Sequence, residues 1–553
     1  MHDELGDTVE LTAELSHRAL DALERLRRDH GLGFDYFLVD CFWFDPRGGY
    51  RSFKQTHWPN GFEPVLERIL ALGMRPGLWY STNGLHLDVE AWDDSRDGGG
   101  KLYSLADGSY AEQLEAAWRD AIERWGLGLI KLDFAALTVP GAGHDRPADE
   151  TYRRSVGNLK RVLRSVRDDH PDLRVIAHCG FARAHHAHAP GGGLSPGVDP
   201  SWLEVLDHLF SGDPAPGDIP RTSLPRAADL YQDQKVFRLH RDGLPLHRIE
   251  DHGAMVGNTN TCLYRGRLGV RRSHLGNLAR GGRRDMLYGD PSLLNDEDAR
   301  VMVRLRELFF DAYACGLETC FIGNAEPGLA PWHGYLTGGG DAGLLYLVNA
   351  TMTTQTAAMT LPGVFRAEVL FDDGQRPTLQ SQPDRLTVEL APEQVTLIGL
   401  GRYADPARHA GGSDDPPPTA VRCADVRFVP APGGLTATLP APAQAGEHLL
   451  VLVRLLEAEP PGPLLTPPHV AARENSRQGP PGRSAMLELV DVELLGTDGQ
   501  AAPALEQLPS LPMWAGISWT ARRFEWIDGG TLSVRLTQKR RFVVEAYAVQ
   551  SSP

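Results

Sequence analysis

The first 325 residues of the chain alternate between amphipathic segments and short apolar runs. In the first amphipathic segment, apolar residues recur at helical spacing, as Leu15, Ala19, Leu23 and Leu26 do, which predicts a helix. The alternation predicts helices at residues 9–30, 61–72, 110–125, 149–168, 222–238 and 296–313. It predicts strands at residues 36–40, 75–80, 129–133, 174–179, 206–211 and 252–258.

Strands that alternate with helices indicate a parallel sheet covered by helices. Several predicted strands end in, or just before, a polar residue of a catalytic type: Asp40, Tyr80, Asp133, His178 and Asp213. Chemistry gathers at the carboxyl ends of the strands in TIM-type barrels. The expected fold class is therefore α/β, with a (β/α) barrel over residues 1–325 whose first strand is missing, followed by all-β domains. A doubly wound open sheet is the alternative, but no Gly-rich nucleotide loop opens a helix.

After about residue 325 the pattern changes to short alternating segments separated by turn residues. Such alternation is typical of antiparallel sheets, so residues 326–403 are predicted to form a C-terminal antiparallel β-sandwich domain. Residues 404–419 are rich in glycine and proline, and we expect a linker there. Residues 420–553 are predicted to form an additional all-β domain.

The formal net charge of -16 narrows the range of partners. Nucleic-acid affinity comes from Lys and Arg that neutralise phosphates, so we expect no nucleic-acid partner, whereas a neutral sugar is compatible. No apolar run reaches the roughly 20 residues that a membrane span requires. The N-terminus has neither the basic start nor the apolar stretch of a secretory signal, so a cytoplasmic location is expected. The sequence does not indicate the oligomeric state.

Cysteine and histidine positions give no indication of a metal site. None of the six cysteines belongs to a C-x-x-C pair, so a thiolate zinc site is not expected. His185, His186 and His188 are not spaced as two ligands one helical turn apart, and they lie in a Gly/Pro-rich context. We therefore predict neither a metal nor another cofactor.

The segment from Gly128 to Phe134 carries two charges in a strand that would be more stable without them. Alternation along a strand puts Lys131 and Asp133 on the same face, where each would partly neutralise the other. An ionised carboxylate held by a cation is what a glycosyl-forming nucleophile requires. Asp133 is therefore the candidate nucleophile, and a purely structural ion pair is the alternative.

A retaining glycosidase needs a second carboxyl about 5–5.5 Å from the first as acid/base. The segment 210–218 follows a predicted strand and offers Asp213 and Asp218. Asp213 is the preferred candidate because it lies nearer the strand. A carboxylate beside Gly and Pro can also bond its own backbone in a turn, so a structural role is the alternative for both.

Trp43, Trp58 and Trp79 lie at or just after the ends of predicted strands rather than on helix faces. Sugar rings present C–H faces that stack on indoles, while polar groups bind the hydroxyls. Core packing explains any single tryptophan equally well, but three in comparable positions favour a sugar site.

Taken in order, these residues resemble the melibiase group, which comprises family 36 α-galactosidases, their family 27 relatives and the wider clan. The motifs that carry the resemblance are Asp40-Cys41-Phe42-Trp43, Trp58-Pro59-Asn60-Gly61, Gly77-Leu78-Trp79, Lys131-Leu132-Asp133, His178-Cys179, Ser211-Gly212-Asp213 and the segment 252–258. The resemblance extends over roughly residues 30–400. It implies a barrel with a C-terminal β-domain, a double displacement that retains the α configuration, and no metal.

By this resemblance, Asp133 would attack the anomeric carbon while Asp213 protonates the departing oxygen. The residues expected to bind substrate are Asp40, Trp43, Trp58, Trp79, Lys131, His178 and Cys179. Cys41 and His178 stand where the family commonly has acidic residues, and Gly212 is inserted before the predicted acid. These departures leave the identity of the sugar open. Losing a carboxylate that pairs with a substrate hydroxyl strongly changes how an enzyme discriminates between sugars.

The leading functional hypothesis is an exo-acting, α-galactosidase-like glycosidase that acts on a small oligosaccharide or glycoside. One alternative keeps the mechanism but uses an acceptor sugar, as a transglycosylase of the raffinose-synthase type does. The other alternative is a catalytically inactive barrel that binds carbohydrate.

Overall fold

The structure is a computed structural model. It describes residues 11–100, 102–178, 199–211, 220–257, 266–364, 366–418, 420–456, 489–508, 519–537 and 541–550. The chain forms two compact units. The first consists of Met1–Gly212, Leu239–Thr259 and Met286–Val303, and the second of Asp213–Arg238, Asn260–Asp285 and Arg304–Pro553.

Helices and short strands alternate along the first part of the chain, as the hydrophobic pattern predicts. The helices are α1 (Ala13–His30), α2 (Glu63–Ala71), α3 (Tyr110–Trp125), α4 (Ala148–Asp169), α5 (Leu224–Arg241), α6 (Val270–Ala279) and α7 (Asp296–Ala314). The strands of the first unit are β1 (Tyr36–Val39), β2 (Arg75–Ser81), β3 (Leu129–Asp133), β4 (Arg174–His178), β5 (His208–Phe210), β6 (Ile249–Glu250), β7 (Ala254–Val256) and β8 (Leu287–Gly289). Each predicted helix and strand overlaps an observed one, whereas the pattern misses α6, β6 and β8.

Helix α1 shows how the sequence sets the helix boundaries. The Thr12 side chain accepts a hydrogen bond from the backbone N of Leu15 at 3.1 Å, which satisfies one of the free donors at the helix start. Gly31 ends the helix with a φ of 77°, a left-handed conformation that glycine adopts without strain. The buried face includes Leu20 and Leu26.

The first unit contains a parallel sheet of six strands in the order β1-β2-β3-β4-β5-β6. Every neighbouring pair in it is parallel, so the predicted α/β class with a parallel sheet is confirmed. Strands β7 and β8 form a second parallel pair. Within the described residues these are two separate sheets, and closure into a barrel stays a prediction.

The second unit contains the antiparallel sheets. Its strands are β9 (Thr319–Ile322), β10 (Trp332–Gly338), β11 (Ala342–Asn349), β12 (Gln355–Thr360), β13 (Ala367–Asp372), β14 (Thr378–Gln382), β15 (Arg385–Leu390), β16 (Val395–Gly401), β17 (Gly411–Gly412), β18 (Ala420–Cys423), β19 (Val429–Ala431), β20 (Gly434–Thr438), β21 (His448–Leu456), β22 (Val490–Leu495), β23 (Glu506–Leu508), β24 (Trp519–Glu525), β25 (Thr531–Leu536) and β26 (Arg541–Gln550).

These strands form two pairs of sheets. The first pair has the orders β17-β13-β16-β11-β10-β9 and β12-β15-β14, and its apolar core includes Leu345, Leu347, Val388 and Ile398. The second pair has the orders β18-β26-β21-β24-β23 and β19-β20-β25-β22. The strands predicted after residue 325 are therefore present, although no boundary between the two units falls at that residue.

The predicted linker at residues 404–419 is packed rather than free where the structure describes it. Strand β17 pairs in parallel with β13, and the carbonyl of Asp415 accepts from Arg272 Nη1 at 3.1 Å. Arg226 donates to the same carbonyl. Glycine and proline content predicts an irregular backbone, but it does not distinguish a mobile linker from a stretch held at a sheet edge.

A helix that crosses a membrane must be long and predominantly apolar. Among the helices that the structure describes, none is both long enough and apolar enough to cross a bilayer.

Candidate active site

The carboxyl ends of three neighbouring strands bring polar and aromatic side chains to one level of the parallel sheet. In the register, Val39 on β1 pairs with Leu78 on β2, and Trp79 pairs with Lys131 on β3. Asp40 directly follows Val39, so it lies level with Trp79 and Lys131. The carboxyl ends of parallel strands are where α/β proteins place their chemistry.

A buried ion pair joins Lys131 to Asp40. The Nζ of Lys131 lies 2.9 Å from Oδ2 of Asp40, and the two side chains are 4% and 2% exposed. Oδ1 of Asp40 accepts from the backbone N of Cys41 at 2.7 Å. The expectation that Lys131 pairs with Asp133 is thereby corrected. The observed partner lies two strands away and 91 positions earlier in the sequence, where a pattern along one strand does not reveal it.

Tyr288 on β8 completes this cluster. Its hydroxyl donates to Oδ2 of Asp40 at 2.6 Å and accepts from Nζ of Lys131 at 3.1 Å. The ammonium of Lys131 also lies 5.1 Å from the ring centroid of Tyr288 and 5.2 Å from that of Phe210, within cation–π range. Tyr288 is not evident from the sequence pattern, because a strand of three residues is too short to show one.

Asp133, the candidate nucleophile, ends β3 and is half-buried. Its Oδ2 accepts from the indole Nε1 of Trp79 at 3.3 Å, and its Oδ1 accepts from the backbone N of Phe134 at 2.8 Å. Its backbone carbonyl accepts from the N of Thr82 at 2.7 Å. One donor on each carboxylate oxygen fixes the plane of the group, and its partial exposure leaves it accessible.

Trp79 and Phe134 donate hydrogen bonds to Asp133, and further aromatic rings contact them; we call Phe42, Trp79, His86 and Phe134 the aromatic wall. The ring of Trp79 meets those of Phe42 and Phe134 at centroid distances of 5.5 and 5.6 Å, both edge-on. The ring of His86 lies 4.7 Å from that of Phe42. Phe42, His86 and Phe134 have φ values of 63°, 67° and 47°.

Positive φ is uncommon outside glycine, and for bulky residues it is an outlier. Such conformations cost about 1–3 kcal/mol each and cluster at functional sites. His252 is a further example at the carboxyl end of the sheet, with a φ of 71°. Its backbone N donates to Oε1 of Glu250 at 2.7 Å, and its ring centroid lies 4.3 Å from that of Tyr288.

Trp43 and Trp58 do not have the surroundings expected of residues that stack on a sugar. Both side chains are 0% exposed. Trp43 packs on Phe53 at a centroid distance of 4.4 Å, and Trp58 packs on Phe53 at 4.7 Å. The Nε1 of Trp43 donates to the carbonyl of Trp79 at 2.7 Å. The two indoles form the aromatic core that supports Trp79, and their role in binding substrate stays a prediction.

Buried tyrosines lie next to this core. The hydroxyl of Tyr50 donates to the carbonyl of Ser81 at 2.7 Å, at the end of β2. Burial raises the pKa of Tyr50 and of Tyr110, and likewise raises the pKa of Tyr80. These phenols therefore stay neutral. The hydroxyls of Tyr50 and Tyr110 contribute hydrogen bonds to the carbonyl of Ser81, and Tyr80 contributes packing.

Part of the predicted site lies outside the described residues. Asp213, Asp218 and Cys179 belong to the stretches that the structure does not describe, and of His178 only the backbone at the end of β4 is described. The histidines at 185, 186 and 188 lie outside as well. The acid/base assignment and the absence of a metal therefore stay predictions.

No protein-family model matches the chain, and no curated protein matches it. Among solved structures, α-galactosidase I from Mortierella vinacea is 14% identical, with 71% of this chain and 94% of that chain covered and a TM-score of 0.45. The family 36 α-galactosidase AgaA from Geobacillus stearothermophilus is 12% identical, with 70% of this chain and 53% of that chain covered and a TM-score of 0.48. A variant of AgaA in complex with raffinose is 11% identical, with 71% and 54% covered and a TM-score of 0.48. At this similarity no residue role is carried over from them.

Proposed function

We propose that the chain is a retaining exo-α-glycosidase, α-galactosidase-like, that acts on a small oligosaccharide or glycoside. The observation that carries the proposal is the placement of Asp133. It is a half-buried carboxylate at the carboxyl end of a parallel strand, with one donor on each oxygen and aromatic rings around it. The order of motifs in the sequence supports the same assignment.

The first step would form a covalent glycosyl-enzyme. An oxygen of Asp133 attacks the anomeric carbon, and its new C–O bond forms as the glycosidic C–O bond breaks. Asp213, the proposed acid, gives its proton to the departing oxygen. In the second step, Asp213 takes a proton from water, whose oxygen attacks the anomeric carbon and releases Asp133. Two inversions give net retention.

The buried cluster of Asp40, Lys131 and Tyr288 would hold the sugar-binding end of the site rigid. Its three polar groups satisfy one another at 2.6, 2.9 and 3.1 Å, so the geometry exists before substrate arrives. Preorganised polar groups lose less free energy on binding than groups that must first be ordered. The identity of the sugar stays open, because Cys41 occupies the position where the resembled family has a carboxylate.

The first test is turnover of a panel of 4-nitrophenyl α-glycosides, beginning with the α-galactoside, by the wild type and by Asp133→Asn. We expect turnover by the wild type and a loss of at least about 10³-fold in the variant, since the nucleophile is removed. Asp207→Asn is the matched control. Asp207 precedes β5, at the opposite end of the strands, and its carboxylate accepts from the N of Val175 at 2.8 Å.

Azide distinguishes the two carboxyl roles. In Asp133→Gly, azide can occupy the space of the missing carboxylate and attack the anomeric carbon of an aryl α-glycoside, which gives the inverted β-glycosyl azide. In Asp213→Gly, azide would instead attack the glycosyl-enzyme and give the α-glycosyl azide. The same result from Asp218→Gly would move the acid/base role to that residue. Near-full activity of Asp133→Asn would overturn the nucleophile assignment, and binding without turnover by the wild type would favour an inactive carbohydrate-binding protein.

A further inference from the structure

The aromatic wall extends outward from the proposed nucleophile. Trp79, which donates to Asp133, is 1% exposed. Phe134 and Phe42 are half-buried, and His86 is exposed. Each ring contacts the next, from Trp79 to Phe42 to His86, at centroid distances of 5.5 and 4.7 Å. The wall therefore forms a continuous aromatic path from the carboxylate to the surface of the unit.

Three members of this wall have an unfavourable backbone conformation. Phe42, His86 and Phe134 follow β1, β2 and β3 respectively, and all have positive φ values. Each is unusual for a bulky residue, and the occurrence of three such residues within one wall is a shared feature of this edge. The rings of His86 and Phe134 both lie near that of Phe42, at centroid distances of 4.7 and 6.5 Å.

The inner and outer parts of the wall would contact different parts of a bound glycoside. The indole of Trp79 and the backbone N of Phe134 donate to the carboxylate of Asp133, so the reacting sugar ring would lie at this inner end of the wall. Phe42 and His86 lie farther along the path toward solvent. In an exo-acting enzyme the group beyond the reacting sugar, on its way to solvent, is the leaving group.

We propose that Phe42 and His86 form the leaving-group subsite, and that it favours leaving groups that carry a ring, whether an aryl group or a second sugar. The inference rests on the proposed role of Asp133. Aryl rings stack on aromatic side chains, and sugar rings place their C–H faces on them. A small leaving group without a ring cannot stack on these aromatic side chains.

The test compares two substrates that share one sugar. A 4-nitrophenyl α-glycoside can contact the wall, whereas the corresponding α-glycosyl fluoride has a single atom as its leaving group. We expect Phe42→Ala and His86→Ala to lower kcat/KM for the aryl glycoside about tenfold, in line with the loss of one aromatic contact. The fluoride should change less than about twofold. His86 is exposed, so its variant should fold even if that of Phe42 does not.

Phe310→Ala provides the control, because Phe310 is a phenylalanine of α7 that is 39% exposed and belongs to no part of the wall. It should leave the ratio of the two kcat/KM values unchanged. Equal losses on both substrates in the wall variants would overturn the proposal, because the rings would then serve the sugar site or the fold.

A binding experiment keeps this inference separate from the proposed function. If the wild type hydrolyses neither substrate, calorimetric titration with 4-nitrophenyl and methyl α-glycosides measures the preference for an aryl group directly. A preference that disappears in His86→Ala supports the subsite even though the catalytic assignment has failed. Equal affinity of the wild type for both glycosides overturns the subsite.

Discussion

The ammonium of Lys131 lies 2.9 Å from a carboxylate oxygen of Asp40, and β2 separates the strands that carry the two residues. The pair is almost fully buried, and a buried ion pair is maintained only when its remaining polar atoms are satisfied. Here the backbone N of Cys41 and the hydroxyl of Tyr288 supply the further bonds. These bonds therefore tie the carboxyl ends of β1 and β3 to β8 of the second parallel sheet.

The Asp40–Lys131 pair should show strong coupling in a double-mutant cycle. Either Asp40→Asn or Lys131→Met alone should lower the free energy of unfolding by about 3–5 kcal/mol, because each leaves a buried charge without its partner. The double variant should be less destabilised than the sum of the two, since it leaves no unpaired charge. Urea unfolding of the four proteins measures the coupling, and additive effects would show that the pair does not interact as described.

Removing the hydroxyl of Tyr288 should affect both stability and activity. Tyr288→Phe leaves Asp40 without one donor, which should cost about 1–3 kcal/mol in the free energy of unfolding. We expect kcat/KM on the best aryl glycoside to fall at least about tenfold, because the cluster loses its fixed geometry. Tyr313→Phe makes the same change in the second unit, where the hydroxyl donates to the carbonyl of Leu278 at 2.8 Å. It should lower stability but leave kcat/KM unchanged, and an equal effect of both variants on activity would contradict the role given to Tyr288.

The strain at His86 should appear as a gain in stability when it is relieved. Its φ of 67° suits glycine, whereas alanine retains the Cβ that makes this conformation unfavourable. His86→Gly should therefore be more stable than His86→Ala by about 1 kcal/mol, as measured by thermal unfolding. The glycine variant should nevertheless lose the preference for aryl leaving groups, as the alanine variant does. If the two variants unfold at the same temperature, the backbone at this position is not strained.

A buried aspartate in the second unit should make stability depend on acid pH. Burial opposes ionisation of Asp233, but the charges of Arg280 and His333 outweigh it and lower the pKa of Asp233. Arg280 Nε and His333 Nε2 lie 2.7 and 2.9 Å from its carboxylate oxygens.

Because the folded-state pKa of Asp233 is lowered, its contribution to stability is fully present above the unfolded value, about 3.9. It is lost as the pH falls through the lowered pKa. Urea unfolding at a series of pH values from 7 to 3 should therefore show a steeper loss for the wild type than for Asp233→Asn. Parallel curves for the two proteins would rule out Asp233 as a source of the acid sensitivity.

The fold was more predictable than the interactions that build the site. Helix α3 and strand β3 match their predicted bounds, because the spacing of apolar residues along a buried helix or strand is visible in the sequence itself. Helix α6 was missed because polar side chains on it are buried too, among them Arg272 and Asn277, so no amphipathic face exists. Arg272 is buried because Asp229 accepts from its Nε at 2.8 Å, a pairing that composition does not reveal.

For the candidate site, the sequence predicts which residues gather at the strand ends but not which of them are in contact. Asp40, Trp79, Lys131 and Asp133 were all predicted, and they lie at one edge of the sheet. The partner of Lys131 and the role of Tyr288 depend on contacts between distant strands, which no local pattern encodes. That Trp43 and Trp58 are fully buried in an aromatic core does not follow from the sequence, because proximity to a strand end does not distinguish the two faces of the chain at that point.

The packed segment around β17 limits where the chain can be shortened. A truncation after residue 403 would remove the Asp415 carbonyl, to which both Arg226 and Arg272 donate, and would leave two buried guanidinium groups with fewer acceptors. Buried charges that lose their partners are costly. A shortened protein should therefore keep residues through Asp415, even though the Gly- and Pro-rich composition of this stretch suggests a dispensable tether.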